Sequence, residues 1–161
     1  MKKCEVAIVV TIMGMLIAWV SCATKKMPDS ELVGVSYTCS GMMAGYIFEG
    51  EMTKNENGDI VLRAMKESYG PLYEKRLTAE DVQHFRLIIE EEKMYAYKER
   101  YLPQMDVLDG EMWGFEARFA DGSAIYAHGS NAWPKENGLG RIRSYMETLV
   151  QDGVLIEKTD K

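Results

Sequence analysis

Hydrophobic and polar positions alternate with period two over the first third of the chain's body. From Val33 to Cys39, Val33, Val35, Tyr37 and Cys39 alternate with Gly34, Ser36 and Thr38, which predicts a strand. Ser40-Gly41-Met42-Met43-Ala44-Gly45 interrupts the pattern, and two glycines flanking two methionines suggest a bend or bulge. Alternation resumes through Tyr46, Phe48, Gly50 and Met52. Asn55-Glu56-Asn57-Gly58 is a turn signal, because Asn-Gly accepts positive φ, and Ile60 to Met65 reads as the returning strand. Residues 33–66 are thus expected to form a small antiparallel meander, broken by Ser68-Tyr69-Gly70-Pro71.

The period then changes. Thr78 can cap a helix with Asp81 three residues on, and Val82, Phe85, Ile88 and Ile89 form one apolar stripe at helical spacing. Glu90-Glu91-Glu92 reads as a solvated face, since consecutive residues point in different directions around a helix. Period two returns at Trp113-Gly114-Phe115-Glu116-Ala117-Arg118-Phe119. Asp121-Gly122 is a hairpin turn, and Ser123 to His128 is the return strand. A two-residue turn would pair Phe115 with His128; a three-residue turn with a bulge would pair Phe115 with Ala127. That one-residue slip decides which face His128 occupies. Leu139, Ile142, Met146 and Leu149 mark a second helix, closed by Gly153. The expected fold is α+β: a single antiparallel sheet of about four to five strands in the order ββ(β)–α–ββ–α, with two helices packed on one face.

The front of the chain follows another logic. Lys2 and Lys3 precede an uncharged, mostly apolar run from Val6 to Val20, followed by Ser21-Cys22. A positive start, an apolar stretch of this size and a small residue at its end describe a secretory signal, and the run is short for a spanning helix. Trp19-Val20-Ser21-Cys22 resembles the lipobox of bacterial lipoproteins, departing from it at Trp19, where leucine is usual. The resemblance implies cleavage before Cys22 and acylation of its thiol. The absence of Asp at the next position implies the outer membrane, facing the periplasm. The expected organisation is a signal peptide at 1–21, a lipid-anchored tether at 22–32, one domain at 33–156 and a frayed tail at 157–161. The stubby transmembrane anchor is the alternative for the leader.

Composition narrows the function classes. The chain has 161 residues, 47% hydrophobic and 27% charged, which suits one ordinary globular domain. Removing Lys2, Lys3 and Glu5 with the leader leaves 17 basic and 24 acidic residues, near −7. With no basic stripe interleaved with aromatics, nucleic acid is excluded as a partner. Of the three cysteines, Cys4 leaves with the leader and Cys22 carries lipid, so Cys39 has no intramolecular disulfide partner. Its two homes are the core, as a small hydrophobe, or a nucleophilic site with His128 and an acid. No HExxH, CxxC, GxSxG, P-loop or dinucleotide fingerprint occurs, and neither a metal nor a cofactor is expected.

The most distinctive local sequence is Asp109-Gly110-Glu111-Met112-Trp113 with Gly129-Ser130-Asn131-Ala132-Trp133-Pro134. If the hairpin forms, Gly129-Ser130 meets Trp113-Gly114 at one sheet end. Trp113, Ser130, Asn131 and Trp133 are then a candidate binding platform; in the alternative, both indoles close the core edge and Asn131 ties down a turn. A Trp-led strand, a DG hairpin and a GSNAWP-like loop together look like uncharacterised small lipoproteins of Bacteroides-type bacteria, a resemblance that implies no activity. The function expected is a membrane-tethered, non-catalytic periplasmic module that binds a protein or an envelope component. The alternatives are a carbohydrate or small-ligand binder using Trp113 and Trp133, and a Cys39-dependent enzyme.

Overall fold

A computed structural model describes residues 25–156 apart from 42, 44, 106 and 108. The expected leader, the lipidation position Cys22 and the tail at 157–161 lie outside these residues. The first half is a four-stranded antiparallel meander: β1 (Leu32–Gly41), β2 (Gly45–Lys54), β3 (Ile60–Met65) and β4 (Leu72–Arg76). Helix α1 (Ala79–Glu91) follows, then a short strand β5 (Arg100–Tyr101) and the hairpin β6 (Glu111–Phe119) and β7 (Ala124–Ser130). Helix α2 (Gly138–Leu149) leads to β8 (Val154–Ile156). All eight strands join one sheet in the order β5-β7-β6-β1-β2-β3-β4-β8.

This corrects the expected four- to five-stranded antiparallel sheet. The α+β class stands, but the sheet has eight strands and is mixed, because β5 pairs with β7 in parallel. The three missed strands share a cause. In β4, Leu72-Tyr73-Glu74-Lys75 are all half-buried, so no period-two contrast marks it. β5 and β8 are two and three residues long, too short for periodicity to register. Each is a strand because of the edge it pairs with, on β7 and β4 respectively.

Alternation sets the two faces of the sheet. Val35, Tyr37 and Cys39 of β1, Phe48 and Met52 of β2, Leu62 and Ala64 of β3, and Trp113, Phe115, Ala117 and Phe119 of β6 are all buried on one face. Both helices cover that face with the stripes their sequences announce: Val82, Phe85, Ile88 and Ile89 of α1; Leu139, Ile142, Met146 and Leu149 of α2. Thr78 and Asp81 form the expected capping box, each side chain accepting from the other's backbone N–H at 3.2 and 2.8 Å. Asp81 also accepts from the Tyr145 hydroxyl at 3.1 Å, and Arg141 pairs with Glu91 and Glu92 at 2.8 Å each. The acidic run thus joins the two helices.

Residues 25–31, expected to belong to a tether, lie against the domain. The Arg86 guanidinium donates to the carbonyls of Pro28 and Ser30 at 2.6 Å each, and sits 5.9 Å from the Phe119 ring centroid. Ser30 Oγ accepts from the Asp121 N–H, the Glu31 carbonyl from the Ala120 N–H, and Lys25 Nζ donates to the Tyr97 carbonyl at 3.0 Å. Met27 packs on the core. The segment is a strap from the hairpin tip, past α1, to the start of β5.

Candidate functional site

The β6–β7 hairpin places Trp113, His128 and Ser130 and sets up the loop that carries Asn131 and Trp133. Its loop is Ala120-Asp121-Gly122, with Gly122 at φ 85°, and it pairs Phe115 with Ala127. Of the two open registers, the three-residue turn with its left-handed glycine is the one formed. His128 therefore stands opposite Gly114, on the face away from the helices, beside Tyr126 at 5.4 Å between ring centroids. Its Nδ1 is buried and makes no hydrogen bond. Cys39 is 4% exposed on the helix-covered face, paired with Phe48 and Trp113. Side chains on opposite faces of a sheet cannot share a proton, so the Cys39–His128 set is not assembled. Burial pushes the Cys39 thiol up, with the charge of Glu111 adding to it. Burial raises the Tyr37 phenol beside it as well.

The residues around the two tryptophans form a latch at the sheet end. Trp113 faces Gly129 and Met112 faces Ser130, one residue removed from the juxtaposition expected. The Trp113 indole is 3% exposed and its Nε1–H donates to the Ala132 carbonyl at 2.8 Å. Asn131, at φ 49°, exchanges two bonds with Glu111: its backbone N–H donates to the Glu111 carbonyl, and its Oδ1 accepts the Glu111 N–H, both at 2.9 Å. A Cβ at Gly110 would stand 1.9 Å from that Oδ1, so a larger residue there would push the Asn131 side chain off the Glu111 N–H. Trp133 is 46% exposed. One indole is thus spent in the core and one lies at the surface; the pair does not present two faces to a common ligand.

The helix-free face of the sheet carries what sequence reasoning passed over. Along β1, Ser36, Thr38 and Ser40 point outward, with Gly114 alongside on β6, so the middle of the face is lined by small groups. Larger side chains rise on both sides: Tyr46, Glu49 and Glu51 from β2, and Met112, Glu116 and Tyr126 from β6 and β7. Judged by side-chain size, the outer row of β1 is thus the floor of a shallow trough. Arg118 crosses it over Gly34, where a Cβ would lie 2.7 Å from its Nε, and reaches Glu51 at 3.0 Å. Arg63 and Glu74 pair at 2.7 Å further out. Glu49 and Glu116, flanking the trough, form no ion pair among the described residues. The signal available in the sequence was the polar phase of β1, which period-two reasoning discards as solvent-facing.

Two other concavities lie along the strap. One of about 560 Å³ opens between Asp29–Leu32 and the first turns of α1, with Arg86 on its wall. One of about 550 Å³ opens between Lys25, Lys26 and Pro28 and the β7 edge at Ser123–Tyr126, with Tyr95 and Glu99 on its rim. Among the described residues, no three His, Cys, Asp or Glu side chains gather as a metal set, and no helix is long and apolar enough to cross a membrane. Compared with known proteins, the chain matches no protein-family model, no curated protein and no solved structure.

Proposed function

We propose that this chain is a lipid-anchored, non-catalytic binding module of the bacterial envelope. Its anchor is Cys22, facing the periplasm from the outer membrane, and its helix-free sheet face receives a cationic segment of a partner protein. One observation carries the choice of surface: the trough along Ser36, Thr38 and Ser40, with the carboxylates of Glu49 and Glu116 on opposite banks and Tyr46, Met112 and Tyr126 exposed beside them. Small central groups allow close backbone approach, aromatic and methionine side chains supply contact area, and unpaired carboxylates select a basic partner. A chain near −7 after loss of the leader favours the same partner.

The test is a photo-crosslinking residue at Thr38 in intact cells, with a second at Glu90, exposed on α1, as reference. A discrete adduct at Thr38, absent at Glu90 and lost in the Glu49→Lys, Glu116→Lys double variant, is expected. Adducts at both positions, or none at Thr38, refute the assignment. Recovery of the mature chain without a diacylglycerol mass on Cys22 refutes the anchor.

A further inference from the structure

The strap changes what the anchor can do, and we infer that the β5 flank of the domain lies on the bilayer surface; this rests on the acylation of Cys22 proposed above. Lys25 is fixed to the Tyr97 carbonyl at 3.0 Å. Only residues 23 and 24 separate it from Cys22, and three Cα–Cα steps span at most about 10 Å. An eleven-residue tether would let the domain tumble freely; this leash, with the Lys25 side chain and its bond adding about 9 Å, keeps the Tyr97 carbonyl within about 20 Å of Cys22 and so turns this flank toward the lipid.

That surface has the chemistry of an interface-lying patch. Lys25, Lys26, Lys98 and Arg100 are exposed around it on a chain that is acidic overall; the carboxylates nearby are Glu99, Glu136 and Glu92, the last paired with Arg141. Leu102, directly after β5, is 54% exposed. Tyr95 and Tyr126 line the groove between the strap and β7. Tyrosines at headgroup depth, basic side chains reaching anionic lipid and an apolar residue beneath them are the elements by which folded domains lie on membranes. The occupant of this flank is therefore an anionic bilayer surface. The helix-free face then rises from the membrane, with the trough along β1 open to a partner from the side.

The mature acylated protein is reconstituted in phosphatidylethanolamine–phosphatidylglycerol vesicles. An environment-sensitive dye is placed on a single introduced thiol, by Leu102→Cys in one sample and Tyr69→Cys in another; Cys39 is buried and silent. Tyr69 lies in the β3–β4 turn, five strand spacings across the sheet from β5, about 24 Å. Spin-labelled lipids should quench the dye at 102 at least about threefold more than at 69, as burial by several ångströms demands. The Lys98→Glu, Arg100→Glu variant, two exposed changes, should erase that contrast. Equal quenching at both positions in protein whose mass shows the diacylglycerol overturns the flank assignment alone. Protein whose mass shows no diacylglycerol overturns the anchor, and the inference with it.

Discussion

Gly129→Ala tests whether the tryptophan-bearing loop is a latch rather than a free platform. A Cβ at Gly129 would stand 2.5 Å from Trp113 Nε1, 2.6 Å from its Cε2 and 2.6 Å from the Ala132 carbonyl oxygen. None of these groups can give cheaply. The indole is buried, packed at a tilt 5.5 Å from the Tyr101 ring centroid, and bonded to that same carbonyl. If the indole tilts away, the Ala132 carbonyl loses its donor, at about 1–3 kcal/mol for an orphaned buried acceptor. If the loop lifts instead, the overpacked strand end costs about 1–3 kcal/mol. Alanine returns about 0.5–1 kcal/mol over glycine in a strand. The net expected loss is about 0.5–2 kcal/mol, read as a lowered midpoint in urea unfolding at unchanged slope. Gly34→Ala is the internal reference. There the close atoms are the guanidinium end of a half-exposed Arg118, which can swing aside, and a change within about 0.5 kcal/mol is expected. If Gly129→Ala unfolds at the same urea concentration as Gly34→Ala, the latch reasoning fails.

Three further outcomes follow from the packing. Asp81 is pushed up by its partial burial, but the Thr78 backbone and hydroxyl and the Tyr145 hydroxyl outweigh this and hold it below the usual carboxylate range. A carboxylate depressed in the folded state stabilises above its unfolded pKa of about 3.9, and that stabilisation disappears as pH falls through the folded value. Asp81→Asn should therefore lower the thermal midpoint at pH 7 and flatten its decline on acidification; parallel curves for the two proteins would contradict this. Arg86→Met removes the guanidinium from the Phe119 ring and releases the Pro28 and Ser30 carbonyls, and should speed amide exchange at Ala120 and Asp121, whose N–H groups bond the strap, at least tenfold with a global loss of about 2 kcal/mol. Unchanged exchange there would show that the strap does not depend on the guanidinium. Cys39, buried and with a raised thiol, should react with iodoacetamide only through unfolding, about a thousandfold more slowly than in urea; native labelling at the denatured rate would reopen the nucleophile reading.

Both helices were legible because their stripes are long, and the first carries an explicit cap in Thr78 with Asp81; the second ends at Leu149, with Gly153 closing the short 3-10 turn beyond it in an extended conformation rather than capping the helix. The hairpin was legible down to two registers, and only the left-handed Gly122 closing a three-residue loop separates them. β4 was invisible for a physical reason: Tyr73 and Lys75 face the helix layer at its thin margin, so burial on the two faces barely differs. β5 and β8 exist only through their partners. The tryptophan motif drew attention because indoles often bind ligands, yet Trp113 was claimed by the core and by one carbonyl. The trough, by contrast, is written in serines and threonine, residues that carry no signature until a sheet lays them side by side.

The short edge strands and the strap belong to one physical problem. A membrane anchor concentrates copies of a domain in two dimensions, where an exposed strand edge is an invitation to pair with its neighbour. This sheet ends in strands of two and three residues. β5 covers only His128 and Gly129 of β7, which leaves the edge from Ala124 to Ala127 without a strand partner. The strap faces that stretch across a groove, held there by Lys25 at one end and Arg86 near the other. A segment expected as a passive spacer thus shields the edge from Ala124 to Ala127, and with the anchor proposed above it would also shorten the leash and set which flank meets the lipid. On an anchored domain the contacts that orient it would also keep identical neighbours from adding strands to it.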